Sequence, residues 1–410
     1  MLALVAGDRP IGKMGEREDA DLSDRKLNRS FGILQSFFLS ANCAYFSFLV
    51  VYLSAMGYTE ARIGLVMTLV STVSVITPSI LGYMADYVIP IKQIVLFMLL
   101  ISIPLGFSLI FTVQILPLAL VSIVLLGISE RSMINVVDSW GMKIRLTHPG
   151  LNYGLTRGIA SMAFALAALL LGRFYAARGI QMMFWVHALF LIVAVGAGFF
   201  LANVPTVGRK QDGHSYFQTI WLLLHDRTYV ILLICMCLHG LSTVTVHTFR
   251  PMLIESMGGT SAHVGAALFI QAGSEAPVML ASAWFIRKFK VERLLILSFL
   301  FAALRLLATV IAPSLGWVIG VQVLQSIAYG LYLPVVLFYI SLITRPEMRA
   351  TAITLATSVG FGLSGILGNS LGGLLAQARG VRSVYFLFSA LIFLAFILFL
   401  INTRLRREPV

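Results

Sequence analysis

The sequence predicts an all-α membrane protein with twelve transmembrane helices in two six-helix pseudo-repeats, with both termini in the cytoplasm. Apolar residues make up 59% of its 410 residues, and charged residues only 11%, against about 25% in soluble domains. A spanning helix needs about 20 apolar residues, so this composition suffices for twelve helices without a large soluble domain. Residues 56–64 (MGYTEARIG) reappear 201 residues later as residues 257–265 (MGGTSAHVG), which indicates two duplicated halves.

Twelve apolar runs, bounded by Gly, Pro or charged residues, are the predicted spans. The polar residues 205–228 form a predicted cytoplasmic linker between an N-terminal half, residues 31–204, and a C-terminal half, residues 229–403. The polar residues 1–30 are predicted to be a disordered cytoplasmic tail, and residues 404–410 a second tail. The runs cover approximately residues 31–55, 63–84, 93–112, 117–140, 153–175, 182–204, 229–254, 263–286, 294–312, 317–343, 351–377 and 383–403.

The net charge of +13 indicates an orientation in the membrane rather than a nucleic-acid partner. Most of the 30 Lys and Arg residues fall in segments on the side of both termini, and few fall in the short loops on the other side. Cytoplasmic loops are enriched in Lys and Arg. We therefore predict a multi-pass, monomeric protein of a bacterial cytoplasmic membrane, whose partners are lipid, a small solute and protons.

Charged side chains inside the predicted spans are candidate functional groups, because a charge in the bilayer core is costly. In the fourth span, Arg131, Asn135 and Asp138 recur at helical spacing and share a face that we expect to line a wet cavity. Glu130 points about 100° away from Arg131. Arg157 lies about four residues after the start of the fifth span, at the depth of Asp138, so an ion pair is predicted, either functional or a structural link between the two helices.

The C-terminal half carries a second set of charges. Glu275 and Arg305 fall near the middle of the eighth and ninth spans, where they could clamp a substrate, form a proton-linked pair or pair structurally. His239 and His247 share a face of the seventh span and are predicted mainly to pack through hydrogen bonds. Arg250, at the outer end of that span, is predicted to anchor in the membrane surface by snorkelling, or alternatively to form an outer salt bridge with the nearby Glu255.

Motifs for nucleotide binding or covalent catalysis are absent from the sequence: it contains no GxxxxGK[ST], HExxH or GxSxG. The three cysteines lie in apolar runs without metal-site spacing. We therefore predict that the protein is not an enzyme, that it needs no cofactor or metal, and that an ion gradient or the substrate's own gradient supplies the energy.

The segment from Gly82 to Asp86 (GYMAD), after the second run, resembles the GxxxD signature of the major facilitator superfamily. The resemblance extends over residues 31–403 and implies the fold of that superfamily, with Asp86 in a cytoplasmic gate. Residues 87–92 (YVIPIK) depart from the family pattern, which commonly has an Arg and a Gly there.

Within that superfamily, the chain resembles the branch of lactose-permease-like oligosaccharide:proton symporters and phenylpropionate permeases. Asp138, residues 153–166 (YGLTRGIASMAFAL) and residues 348–352 (MRATA) carry this resemblance. It implies that Asp138 and Arg157 lie at the substrate. Glu275 and Arg305 are similar in placement to a Glu and an Arg of that branch.

Two departures bear on the substrate. Phe164 stands where lactose permease has a Trp that stacks on galactose, and residues 325–329 (QSIAY) lack the His and Glu that take part in proton coupling there. A galactoside is therefore not implied, and another carboxylate must carry the proton.

The sequence as a whole predicts proton-coupled uptake of a small polar organic solute such as a sugar, a nucleoside or an aromatic acid, by alternating access. Asp138 or Glu275 would carry the proton, Arg157 and Arg305 would bind substrate or tune the carboxylate, and Phe164 would line the site. A proton-coupled efflux antiporter for sugars or drugs is the first alternative, and a non-transporting sensor or lipid-handling protein is the second.

Overall fold

The computed structural model describes residues 12–204 and 216–405, which are helical apart from short turns. Within these residues, twelve helices are long and apolar enough to cross a membrane, as predicted. We number them as spans 1 to 12. In chain order they are Asp24–Ala55, Glu60–Tyr87, Ile91–Thr112, Leu116–Thr147, Tyr153–Arg178, Met182–Phe199, Arg227–Ser256, Ser261–Lys288, Val291–Val310, Leu315–Ile343, Pro346–Arg379 and Val381–Leu405.

The first helix differs from the prediction for the N-terminal tail. It begins at Gly12 and continues to Phe46, so residues 12–30 are helical where the sequence predicts disorder. These residues contain no proline and many good helix formers. Asn28 also ties the helix to the loop between spans 4 and 5, since its amide donates to the carbonyl of Gly150 and its oxygen accepts from the Asn152 N–H, both at 2.8 Å. Residues 1–11 lie outside the described residues.

The predicted linker contains a ten-residue helix, Tyr216–His225, immediately before span 7. Residues 205–215, and the tail from residue 406 onward, lie outside the described residues. Within each half, the packing follows the repeat. Span 1 packs against spans 5 and 6, and span 7 packs against spans 11 and 12 in the same way.

Three spans contain π-helical turns, at Gly127–Arg131 in span 4, Ser326–Leu331 in span 10 and Ser358–Leu363 in span 11. The first two overlap when the offset of 201 residues is applied. A π-helical turn accommodates one more residue per hydrogen-bonded turn, and such turns occur frequently at functional sites. All three turns contribute cavity-lining side chains, which are Arg131 in span 4, Tyr329 in span 10, and Ser358 and Phe361 in span 11.

Four glycines join the two halves at the ends of the spans that the charge distribution predicts to be extracellular. We call these contacts the outer gate. A Cβ atom on Gly64 of span 2 would lie 2.8 Å from the Cα of Gly373 in span 11, and a Cβ atom on Gly172 of span 5 would lie 2.9 Å from the Cα of Gly265 in span 8. Real Cβ atoms do not approach this closely, so only glycine fits. Because Gly64 corresponds to Gly265 and Gly172 to Gly373 in the repeat, the two contacts are related by pseudo-two-fold symmetry.

Polar contacts extend the outer gate toward mid-membrane. Thr68 and Ser370 are hydrogen-bonded at 2.9 Å, and the Asn369 amide donates to the Ser71 hydroxyl at 3.1 Å. Between spans 1 and 7, the hydroxyl of Ser54 donates to the carboxylate of its repeat counterpart, Glu255, at 2.7 Å. The outer ends of the two halves are therefore held together.

The opposite ends of spans 2 and 5 make no such close contact. A Cβ atom added to Gly82 of span 2 or Gly158 of span 5 would meet nothing within 4 Å. With the predicted orientation, the protein is closed on the outside and open toward the cytoplasm.

Candidate functional site

A cavity of about 850 Å³ lies between the two halves, below the outer gate. Its volume falls within the range of about 300–1,000 Å³ that is typical of small-molecule sites. Both halves contribute to its wall, the N-terminal half through spans 1, 2, 4 and 5 and the C-terminal half through spans 7, 8, 10 and 11. A solute in this cavity would contact both halves of the protein.

The eight predicted site residues occupy three different places. Arg131, Asn135, Phe164 and Glu275 line the cavity. Glu130 and Arg305 are buried behind its wall, 0% and 2% exposed. Asp138 and Arg157 lie farther toward the cytoplasmic ends of spans 4 and 5, outside the lining of the cavity.

The N-terminal cluster consists of Glu130, Arg131 and two residues outside the predicted set, Asn42 and His187. The Glu130 carboxylate lies 2.6 Å from Nε2 of His187 in span 6, and both side chains are excluded from solvent. The Asn42 amide of span 1 donates to the other Glu130 oxygen at 3.5 Å and accepts from Arg131 at 2.8 Å. His187 had a signal in the sequence, because it is an ionisable residue inside an apolar run.

The C-terminal cluster is a chain of polar contacts along spans 7 and 8. Gln271 donates to Glu275 at 3.1 Å and lies 3.3 Å from Nε2 of His247. Nδ1 of His247 lies 3.2 Å from a guanidinium nitrogen of Arg250. Arg250 is only 2% exposed and lines the cavity, so the predictions of a membrane-surface anchor and of a salt bridge to Glu255 are wrong. Its side chain turns inward to His247, while Glu255 accepts from Ser54.

Arg305 lies behind this cluster and donates to Gln322 at 3.2 Å. Although both residues are described, no salt bridge within 4 Å joins it to Glu275. The Nε atoms of Arg250 and Arg305 are buried without a hydrogen-bond partner in the described part of the chain. Two guanidinium groups therefore share one neighbouring carboxylate, which leaves a buried surplus of positive charge that can hold an acceptor group of a solute.

Asp138 and Arg157 form the predicted ion pair, with 3.5 Å between Nε of Arg157 and Oδ1 of Asp138. Gln35 of span 1 also donates to Asp138, at 3.0 Å. The two charged side chains are 30% and 34% exposed. This pair links spans 1, 4 and 5 near the cytoplasmic end, and the substrate role predicted for it remains a prediction.

Asp86, the predicted gating residue, pairs with Lys143 of span 4 at 2.7 Å. Lys143 also donates to the backbone carbonyl of Ala85 at 3.3 Å. The pair connects the cytoplasmic ends of spans 2 and 4 within one half, and Asp86 is 47% exposed. The gating role of Asp86 remains a prediction.

Aromatic side chains complete the wall. Phe164 and Phe46 line the cavity in the N-terminal half, and the Arg131 guanidinium lies 5.2 Å from the centroid of the Phe46 ring. Tyr329 and Phe361 line it in the C-terminal half and contact each other edge to face. Among the described residues, no group of His, Cys, Asp or Glu side chains could hold a metal ion.

Residues 32–387 of this chain match the model of the MFS_1 like family. The chain belongs to this family. It is therefore a multi-pass membrane protein of the major facilitator type and moves solutes as a secondary active transporter, as its sequence predicts.

Individual relatives agree with this assignment. The maltose permease of Geobacillus stearothermophilus is 29% identical over 349 residues, which cover 84% of this chain and 87% of the permease. The crystal structure of the nucleoside transporter NupG superposes with a TM-score of 0.80 at 15% identity, covering 93% of this chain and all of that one. A D-xylose-proton symporter gives a TM-score of 0.67 at 14% identity, over 92% of this chain and 97% of the other. At these identities, the two solved structures show a shared fold.

Proposed function

We propose that this protein takes up a small hydroxyl-rich solute, with a sugar as the first candidate, together with protons. The observation that carries this proposal is the cavity between the halves, which is sealed on the outside and lined by side chains that suit such a solute. Sugars present apolar ring faces and many hydroxyl groups. Aromatic side chains beside donors and acceptors can recognise both features.

Three of the predicted site residues, with two additions, would bind the solute. Asn135 and Gln271 offer amide groups from opposite halves, and Phe164 offers a ring face. Glu275 would accept a hydroxyl while Arg250 donates to a solute oxygen, which would use the surplus positive charge of the C-terminal cluster. The similarity to a maltose permease supports a disaccharide as the first compound to test.

Alternating access follows from the two ends of the molecule. In the outward-open state, the outer gate would separate at Gly64–Gly373 and Gly172–Gly265, and the cytoplasmic ends of the same spans would close. Arg157 and Asp138 would hold spans 4 and 5 together during this movement, and Asp86 with Lys143 would hold spans 2 and 4. The halves then rock as units around a solute that both of them contact.

The test is uptake by the purified protein in proteoliposomes with an imposed inward proton gradient, over a panel of maltose, xylose, a nucleoside and an aromatic acid. We expect one sugar to accumulate above its external concentration and to leak out when a protonophore removes the gradient. Gln271→Leu, in the cavity, should lower this uptake about tenfold or more, because it removes a buried amide contact. Gln377→Leu, on an exposed position of span 11, should leave it unchanged.

Other results would lead elsewhere. Loss of preloaded sugar driven by an inward proton gradient would establish the efflux antiporter. Accumulation of a nucleoside or an aromatic acid, but no sugar, would retain proton-coupled transport and replace the solute. Equilibration that no proton gradient can drive uphill would contradict the proposed coupling.

A further inference from the structure

We propose that Glu130 and His187 together form the site that carries the coupling proton. This inference rests on the proposed proton-coupled transport and assigns its coupling step. The pair lies at the contact of span 4 with span 6 and is entirely excluded from solvent, with 2.6 Å between Oε2 and Nε2. A carboxylate and an imidazole in direct hydrogen-bond contact can hold one added proton between them. The pair can therefore be loaded with or emptied of one proton while it stays hydrogen-bonded.

The free ring nitrogen of His187, Nδ1, is the atom that would take up the proton. In the unloaded state, Nε2–H of neutral His187 donates to the Glu130 carboxylate, and Nδ1 has no partner among the described residues. Loading adds a proton to Nδ1, and the carboxylate balances the new charge on the ring. Gly106 of span 3 leaves space at this atom, since a Cβ there would lie 3.0 Å from Nδ1.

The charged and titratable groups around the pair are Tyr45 on span 1 and Arg131 on span 4, while span 3 contributes uncharged groups. Tyr45 of span 1 lies with its ring centroid 4.9 Å from the His187 ring, and its hydroxyl donates to the Gly106 carbonyl at 3.3 Å. Arg131 of span 4 acts on Glu130 through its charge. Span 3 contributes Gly106 and the Ser102 hydroxyl, which donates to Ser129 at 2.8 Å.

Asn42 and Arg131 connect this site to the solute. Both line the cavity, whereas Glu130 and His187 do not. Asn42 donates to Glu130 and accepts from Arg131. A solute oxygen that accepts from Asn42 or Arg131 would draw a donor and a positive charge away from the carboxylate. Both changes favour loading of the proton.

Linkage gives the direction of coupling. If solute binding favours loading, loading must favour solute binding to the same extent. The protein would then bind solute and proton together, which is symport. The C-terminal half has no second copy of the site, because the positions 201 residues after Glu130 and His187 are Leu331 and Phe388.

The position of the pair also favours it over the two carboxylates that the sequence predicts as proton carriers, Asp138 and Glu275. Asp138 is 30% exposed and outside the cavity lining, and Glu275 is already among guanidinium groups. Glu130 is the carboxylate that combines full burial with a titratable partner in hydrogen-bond contact, within the described residues.

The experiment compares two modes of transport in proteoliposomes for Glu130→Gln and His187→Gln. Glu130→Gln removes the negative charge that balances the loaded ring, and His187→Gln removes the ring nitrogen that takes up the proton. Both variants keep a hydrogen-bonding group at the altered position. We expect solute exchange between equal concentrations on both sides, which needs no net proton movement, to stay within about threefold of the unsubstituted protein. Accumulation driven by a proton gradient should fall to the level of simple equilibration. Glu347→Gln and His148→Asn, at exposed positions, are the matched controls and should change neither mode.

A second measurement covers variants that insert poorly. Solute affinity of the purified protein should weaken as pH rises in the unsubstituted protein and become independent of pH in Glu130→Gln. If the unsubstituted protein accumulates solute with protons and both variants do so equally, the pair is not the proton site. If the unsubstituted protein shows no proton-driven accumulation at all, the proposed function fails instead.

Discussion

At the outer gate, Gly64 meets Gly373 in the same way as Gly265 meets Gly172, whereas at mid-depth the two halves carry different charged residues. The N-terminal cluster holds a carboxylate paired with a histidine beside one arginine. The C-terminal cluster holds Arg250 and a carboxylate, with a second arginine, Arg305, behind it. The backbone contacts of the outer gate thus follow the repeat, whereas the charged residues at mid-depth differ between the halves.

This difference separates two requirements of a transporter. Rocking needs surfaces in both halves that can meet and part equally, so the repeat is retained where backbones touch. Coupling a solute to a proton needs two unlike sites that influence each other, so the charged residues differ between the halves. Substitutions at the gate should therefore affect every mode of transport, and substitutions in one cluster only some of them.

The largest effect is expected at the gate. Gly64→Ala with Gly265→Ala places a methyl group against backbone on both sides, and overpacking costs about 1–3 kcal/mol at each site. Uptake and exchange should both fall by more than about 100-fold. Accessibility of the cavity can be measured in the same gate variant, with its own cysteines replaced by serine and Val50→Cys added in the cavity wall. Because the gate cannot close, this cysteine should react with an external thiol reagent.

Gly82→Ala with Gly273→Ala is the control for this prediction. It adds the same two methyl groups to the same two spans, at positions where nothing lies within 4 Å. Because the two double variants raise helix propensity equally, a difference between them reports the gate contact. Equal transport in the two proteins would contradict the assignment of the gate.

The next effect tests the surplus positive charge of the C-terminal cluster. Arg250→Gln should lower uptake about 10- to 100-fold, because a charged hydrogen bond to the solute contributes about 1.5–3 kcal/mol. The same change should raise the unfolding temperature by a few degrees, because it removes a buried and poorly compensated charge. Arg173→Gln, on an exposed position of span 5, should alter neither quantity. A less stable Arg250→Gln protein would show that the charge is compensated.

Glu275→Gln should distinguish the role of the C-terminal cluster in solute binding from that of the N-terminal cluster in proton coupling. Its amide can still contact Gln271 and a solute hydroxyl, so we expect about a tenfold weaker apparent affinity. Proton-driven accumulation should persist at saturating solute, in contrast to Glu130→Gln. Loss of accumulation with retained exchange in Glu275→Gln would place the proton in the C-terminal half, and the comparison between the clusters would reverse.

The smallest effect is expected at the cytoplasmic end. Asp86→Asn removes a half-exposed ion pair, and such pairs contribute about 0.2–1 kcal/mol. The initial rate of uptake should fall less than about fivefold, and the difference should shrink at high salt. Lys143→Gln should give the same decrease, and the double variant no further one. Additive decreases would indicate that the two residues act separately.

Much of the fold could be predicted from the sequence, because lipid imposes length and apolarity on each span. The twelve spans and the duplicated halves were accessible in this way. The helix at residues 12–30 was not, because its support comes from the distant contacts of Asn28 with Gly150 and Asn152. Composition alone does not show such contacts.

The site was predictable only in part. Helical spacing predicted that Arg131 and Asn135 line a cavity. The matching depths of Asp138 and Arg157 on antiparallel helices predicted their contact. His187 was missed because nothing in the sequence relates its rotation on span 6 to that of Glu130 on span 4. Arg250 was misplaced for a similar reason, since its direction depends on its contact with His247.

The hydrogen bond from Ser54 to Glu255 has an evolutionary consequence. A residue can touch its own repeat counterpart only on the symmetry axis, so this contact marks where the pseudo-two-fold axis leaves the outer surface. In an ancestor made of two identical six-helix chains, the same side chain would have faced itself there, and two glutamates would have repelled each other. Fusion into one chain allows the two positions to differ, here as a donor and an acceptor 2.7 Å apart.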